Sequence, residues 1–247
     1  MRLASACFAL FAVATTAAAQ TTTYDLLYQD HLAGKDVVKL AQTKQGFKLT
    51  SRFSYRGSGA GSDGDYLNEF RLTPSYMLED ATLTNEADTS VTSYILNKKR
   101  DELTMALNLS QEHQTAVVAV QSNFVVLPPF DAGAAQAVLL NLAQPGATAT
   151  LNLIAPPDPH APATLRAEQH NVAGQWAQGP DLDGTLDGKP ISVHTFLLTI
   201  PRGQWVMLGD ANNNLMQCMI PAIRLTYTRQ SFHLTGALPA ATAFHTH

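Results

Sequence analysis

Residues 181–187, Asp-Leu-Asp-Gly-Thr-Leu-Asp, place three carboxylates within seven positions. An aspartate nucleophile two residues ahead of an acid/base aspartate is an arrangement suited to phosphoryl transfer, with Mg²⁺ neutralising the phosphate. That chemistry needs aspartates emerging from the C-terminal end of a buried parallel strand. Here residues 174–180, GQWAQGP, read as a loop, and no strand–helix alternation surrounds them. The expectation is an acidic turn leading into a hairpin. Asp181, Asp183 and Asp187 could also offer hard oxygen ligands to calcium. Ser192 stands near the twelfth position, where an EF-hand loop needs an acid, so that pattern is excluded.

The other chemistry-bearing residues are more scattered. Ala60-Gly61-Ser62-Asp63-Gly64 is an alanine-containing relative of the G-x-S-x-G elbow. An elbow must open a helix, whereas Asp65-Tyr66-Leu67 reads as strand, so a hairpin loop is expected. The same loop lacks the Lys-Ser/Thr of a phosphate-binding P-loop. His194 lies in an apolar strand and reads as a neutral core or face-edge residue, while His245 and His247 form an H-x-H in the tail. Cys218, between Gln217 and Met219, reads as a buried small hydrophobe. No catalytic residue, metal-ligand set or cofactor is therefore expected.

Aromatic residues form the more coherent group. Tyr24, Tyr28, Phe47, Phe53, Tyr55, Tyr66 and Phe70 fall near one face of the first strands. Three readings stand: core packing under a helix, the lining of a cavity for an acyl chain or other apolar ligand, or stacking on glycan. The candidate ligand-binding set is Tyr28, Phe47, Phe53, Tyr55, Phe70 and Leu139.

One stretch must organise these residues. Residues 124–146, FVVLPPFDAGAAQAVLLNLAQPG, carry a single convincing helix signal. Pro128-Pro129 holds the approach extended, Asp131 is placed to cap the N-terminus, and Pro145-Gly146 stops the helix. Its polar residues Gln136, Asn141 and Gln144 fall in one arc, and the rest is Ala, Val and Leu, so the helix must be buried against a wide apolar surface. Strands flank it on both sides. TYDLLYQDHL, VVKLAQTK and FKLTSRFSYR predict a meander with turns near residues 33–36 and 45–46, the last run alternating with period two. YLNEFRL, SYMLEDATLT, SVTSYILNK, DELTMALNLS and TAVVAVQS continue it. ATATLNLIA, ATLRAEQHNV, PISVHTFLLTI, WVMLGDAN, MQCMIPAI and RLTYTRQSFHL follow the helix. Short turns imply antiparallel pairing. The expected fold is mainly β: a strongly curved antiparallel sheet or half-open barrel with one central buried helix, or alternatively two packed sheets bridged by the helix.

The first nineteen residues read as a signal peptide, with Arg2, an apolar Cys7–Val13 and an A-x-A site at Ala17-Ala18-Ala19. Residues 20–235 are expected to form one β-rich domain and 236–247 a disordered tail. Removing Arg2 takes the formal charge from −4 to −5, and no basic cluster exceeds Lys98-Lys99-Arg100, so nucleic-acid binding lacks an electrostatic basis. No run reaches the length of a transmembrane helix. Cleavage would leave Cys218 alone, so stability must come from a hydrophobic core rather than an internal disulfide.

The opening YDLLYQDHLAGKDVVKL, a hairpin bent at Gly34, together with VVLPPFDAGAAQAVLLNL, resembles a family of exported bacterial β-rich domains of unknown function. Such domains look like the lipoprotein carriers LolA and LolB, whose half-open antiparallel barrel holds acyl chains. The likeness covers the layout of most of Tyr24–Leu234 and implies an apolar cavity and a role in the cell envelope, but carries over no catalytic residue. The expected function is that of a non-catalytic protein, periplasmic or extracellular, binding a lipid-like apolar molecule or an envelope protein. The alternatives are a hydrolase with a loop-built carboxylate site, or a purely structural accessory domain.

Overall fold

A computed structural model describes residues 19–56, 64–86, 91–99, 102–109, 113–119, 124–126, 131–143, 150–154, 171–201 and 203–244. It is mainly β, with a large antiparallel sheet and one α-helix. In chain order the strands are β1 (Gln20–Tyr28), β2 (His31–Thr43), β3 (Gly46–Tyr55), β4 (Gly64–Leu72), β5 (Leu78–Asn85), β6 (Val91–Lys99), β7 (Glu102–Leu109), β8 (His113–Ala119) and β9 (Phe124–Val126). The helix α1 (Ala132–Leu142) follows. Then come β10 (Thr150–Ile154), β11 (Asn171–Gln178), β12 (Leu182–Leu186), β13 (Lys189–Ile200), β14 (Gly203–Gly209), β15 (Leu215–Ile220), β16 (Leu225–Arg229) and β17 (Phe232–Leu234).

The chain builds two meanders joined by a seam. Strands β1 to β8 pair in succession, each antiparallel to the next. On the other side β10, β11, β13, β14, β15 and β16 do the same, and β16 closes antiparallel against β1, with Tyr24 opposite Arg229. β9 runs parallel to β10, because α1 intervenes between them as a crossover. Among the described residues no pairing joins β8 to β9, so the sheet is open there.

The helix proves the curvature. It touches β2 and β3 on one side of the seam and β14 and β15 on the other. From β14 to β3 through β15, β16, β1 and β2 is five strand spacings, roughly 24 Å if flat, against a helix only about 10–12 Å across. Both sets can reach one helix only if the sheet wraps around it. Every residue of α1 is buried, and the main core lies between it and the concave face.

A second, smaller layer covers the opposite face. β12 pairs with the first half of β13 and with β17. Val193, Leu208, Met216 and Phe232 form a separate apolar cluster there. The strands β13 to β15 are thus covered on both faces, which accounts for their nearly continuous apolar runs. The convex face of β3 to β5 is instead wet and carries a mesh of exposed ion pairs: Lys48–Glu69, Arg52–Glu86, Arg56–Asp65 and Arg71–Asp80.

Several boundaries differ from the sequence expectation. The first hairpin turns at Gln29-Asp30, both with positive φ, not at Gly34. Gly34 lies within β2 beside a β-bulge, where a Cβ would run into the Ser54 carbonyl oxygen. The glycine serves close backbone approach rather than a bend. The expected loop GQWAQGP is largely strand β11, whose Trp176 and Ala177 stand opposite Leu198 and Leu197, with Gly174 buried in the sheet. RLTYTRQSFHL is two strands, β16 and β17, broken at Gln230-Ser231. Residues 236–244, expected as disordered tail, include a 3₁₀ turn at Ala241–Ala243, and the Phe244 ring lies beside Gly179. The elbow-like loop at 60–63, the stop at Pro145-Gly146, the signal segment and His245 and His247 lie outside the described residues.

Candidate functional site at the helix N-terminus

The strand register sets up a polar patch on an otherwise apolar concave face. Asp36 on β2 stands opposite Tyr24 on β1 and Phe53 on β3, and Ser51 on β3 stands opposite Asn68 on β4. Period-two alternation turns Asp36, Ser51 and Asn68 inward, where all three are buried. A helix N-terminus presents backbone N–H groups without intrahelical partners and the positive end of a dipole. The patch meets that end of α1.

The bonding is dense. Asp131 caps the helix as expected: its Oδ1 accepts from the backbone N–H of Gly133 at 2.6 Å and of Ala134 at 3.2 Å. Asn68 Nδ2 donates to Asp131 Oδ2 at 2.5 Å. Asp36 Oδ2 accepts the Ala132 N–H at 2.8 Å, and Asp36 Oδ1 accepts from Ser51 Oγ at 2.7 Å. Three orphan helix donors are thereby satisfied by two carboxylates. Further along, Gln136 ties α1 to the segment entering β15, donating to the Asn213 carbonyl at 2.9 Å and accepting the Leu215 N–H at 2.7 Å. Asn141 Nδ2 makes a contact of 2.8 Å with Met77 Sδ near the other end.

Asp36 and Asp131 are 0% and 1% exposed and interact directly. Burial holds the Asp36 carboxyl well above the usual carboxylate range. The Asp131 charge adds to this, and the bonds from Ser51 and Ala132 oppose it. Burial likewise raises Asp131, against hydrogen bonds from Ser51, Asn68, Ala134 and Gly133. Two like carboxyls whose hydrogen-bond donors among the described residues are all neutral favour sharing a proton. Tyr24, Tyr227 and Cys218, all buried nearby, have their acid forms held protonated by desolvation. Tyr24 Oη donates to the Leu215 carbonyl at 2.9 Å, whereas the buried Tyr227 hydroxyl has no hydrogen-bond partner among the described residues.

The expected ligand-lining residues all belong to this concave core. Phe53, Tyr55, Phe70 and Leu139 are buried in it, and Tyr28 and Phe47 pack partly buried against it. They divide along the strands. Leu49 and Phe70 stand opposite each other on the side toward which the helix runs, and Phe47 stacks there on Tyr76, with ring centroids 4.5 Å apart. Phe53 stacks on Tyr66 at 4.6 Å, one step beyond Ser51 in the other direction, with Tyr55 further on. Leu139 lies against Gly209 on β14.

The acidic segment does not converge. Asp181, Asp183 and Asp187 are exposed along β12 and its hairpin turn at Asp187-Gly188. β12 is antiparallel to β13, so the parallel-strand geometry of a phosphoryl-transfer site is missing. Among the described residues no group of three or more His, Cys, Asp or Glu side chains could hold a metal ion. His194 Nδ1 bonds Asp181 Oδ1 at 2.8 Å at the surface, and among the described residues no hydroxyl or thiol bonds its other nitrogen. Cys218 is a buried free thiol, as expected.

The Asp36–Asp131 pairing was not foreseen. Asp36 reads from sequence as part of a turn, whereas it lies within β2, in line with the inward-facing Val38. Together these observations define a mainly-β protein whose open, curved sheet holds one wholly enclosed helix on a polar footing. Comparison with protein-family models, curated proteins and solved structures found no match for this chain.

Proposed function

We propose that this chain is a non-catalytic, exported protein of the cell envelope that binds an apolar, lipid-like ligand on the concave face of its sheet, beside or in place of α1. One observation carries the reading. The concave face is lined by aromatic and aliphatic side chains, yet the helix filling it is tied down by polar bonds at Asp36, Asn68, Gln136 and Asn141. Hydrogen bonds exchange readily with water and contribute modestly in net terms, so such a plug can leave an apolar surface that stays attractive to an acyl chain. The resemblance in layout to lipoprotein carriers supports the same reading. A hydrolase has less behind it, because the converging carboxylates are enclosed and the exposed ones at Asp181 and Asp183 are spread along a hairpin.

The test is native mass spectrometry of residues 20–247 purified from an exporting host, with organic extraction of bound material. A stoichiometric lipid-sized adduct is expected. A bare mass, together with no uptake of a fluorescent fatty-acid probe, overturns the reading and leaves the envelope-partner and structural roles.

A further inference from the structure

We propose that Asp36 and Asp131 form a proton-operated latch: while they share one proton, the N-terminus of α1 stays seated on the β2–β3–β4 face, and loss of that proton unseats it. The geometry comes first. The two carboxyls bond consecutive N–H groups of one helix turn, Asp36 that of Ala132 and Asp131 those of Gly133 and Ala134, and are fully enclosed, with every described hydrogen-bond donor to them neutral, Ser51 and Asn68 included. The titratable groups facing them are Tyr227 on β16 and Tyr24 on β1, with Cys218 on β15 beside Tyr227. Arg229 and Asp210 act on Tyr24 with opposite sign, and among the described residues no lysine, arginine or histidine side chain hydrogen-bonds or ion-pairs with either aspartate. The helix dipole and its N–H groups can hold one negative charge on Asp131. A second on Asp36 has only the neutral Ser51 hydroxyl and the Ala132 N–H to offset it among the described residues.

The chemistry is a simple deprotonation. With the proton between them, Asp36 donates to Asp131 while its oxygens still accept from Ser51 and Ala132. When the proton leaves to water, two enclosed carboxylates repel each other, and the cheapest relief is to separate the one on the helix from the one on the strand. Both carboxyls have raised pKa values in the folded chain, so their stabilising contribution is complete below the ordinary carboxylate value of 3.8 and is lost as pH rises through the folded values. The latch therefore opens on the alkaline side. It stands apart from the lipid reading: a chain that binds no lipid can still open in this way.

The test is amide hydrogen exchange on the full chain across a pH series, corrected for intrinsic exchange, comparing α1 with β13 and β14. Between the ordinary carboxylate value and the raised titration of the folded pair, α1 protection should fall by about tenfold per pH unit, one proton's worth, and level off above it, while β13 and β14 keep theirs. Asp36→Asn, which holds a permanent donor toward Asp131, should abolish the slope. If that variant fails to fold, Asp131→Asn should do the same while keeping a capping oxygen. A pH-independent α1, a slope surviving in the variant that folds, or simultaneous loss from helix and strands would each overturn the latch.

Discussion

Single side chains here act through what they leave unsatisfied. Asp131→Ala removes the helix cap and strands the buried Asn68 amide, and should cost about 2–4 kcal/mol in chemical denaturation. The two buried tyrosines give a matched contrast. Tyr24→Phe deprives the Leu215 carbonyl of its donor and should cost about 1 kcal/mol. Tyr227→Phe removes a hydroxyl that has no partner among the described residues and should be neutral or stabilising. Equal losses from both tyrosine variants would mean that the Tyr227 hydroxyl is satisfied after all. Gly133→Ala sets two effects against each other. Alanine favours the helix by about 1 kcal/mol, but its Cβ would stand 2.6 Å from Ser51 Cβ and 2.8 Å from Leu49 Cδ2. The Ser51 Cβ is fixed to the strand backbone, so overpacking of about 1–3 kcal/mol should win, and a stabilised variant would contradict the tight docking.

At the scale of elements, α1 is the member on which both halves of the sheet depend. Leu139→Asp places an unpaired carboxylate between the helix and Gly209 and should unfold the chain, since that costs several kcal/mol against a total stability of about 5–15. A melting temperature equal to that of the parent would refute the enclosed helix. The helix and its capping aspartate were legible in the sequence because Asp131 precedes an uninterrupted small and apolar run after Pro128-Pro129. The enclosure of Gln136 and Asn141 was not legible. Their partners, the Leu215 N–H and Met77 Sδ, lie 79 and 64 residues away and leave no local trace. The same limit hid Asp36, which looks like a surface residue until Ala132, 96 positions on, is placed above it. Turn positions failed for a different reason. Glycine commonly marks a bend, but here Gln29-Asp30 makes it and Gly34 sits within a strand.

For the whole molecule, the mainly-β, curved architecture followed from alternation and short turns, and the central helix ruled out a flat sheet. The second layer formed by β12 and β17 did not follow, because strands of three to five residues resemble turns when read alone. Convex-face charge pairs such as Lys48–Glu69 and Arg71–Asp80 are individually worth little, and their joint effect is to keep that face in water. Removing residues from Leu225 onward would leave β1 paired with β2 alone and break the seam that brings β14 and β15 to the helix. That truncation should be insoluble or lack cooperative unfolding, and a cooperative melt would show that the two meanders are independent.

The seam between β1 and β16 has a consequence in time. Tyr24 finds Arg229 only after some two hundred intervening residues have been laid down, and until then β1 is an open edge. Local hairpins can form as the chain emerges, but enclosing α1 must wait for the last strands, because β14 and β15 supply one wall. Folding with such long-range closure is slow relative to its local steps. For as long as it waits, the apolar side chains destined for the concave face stay open to whatever meets them first.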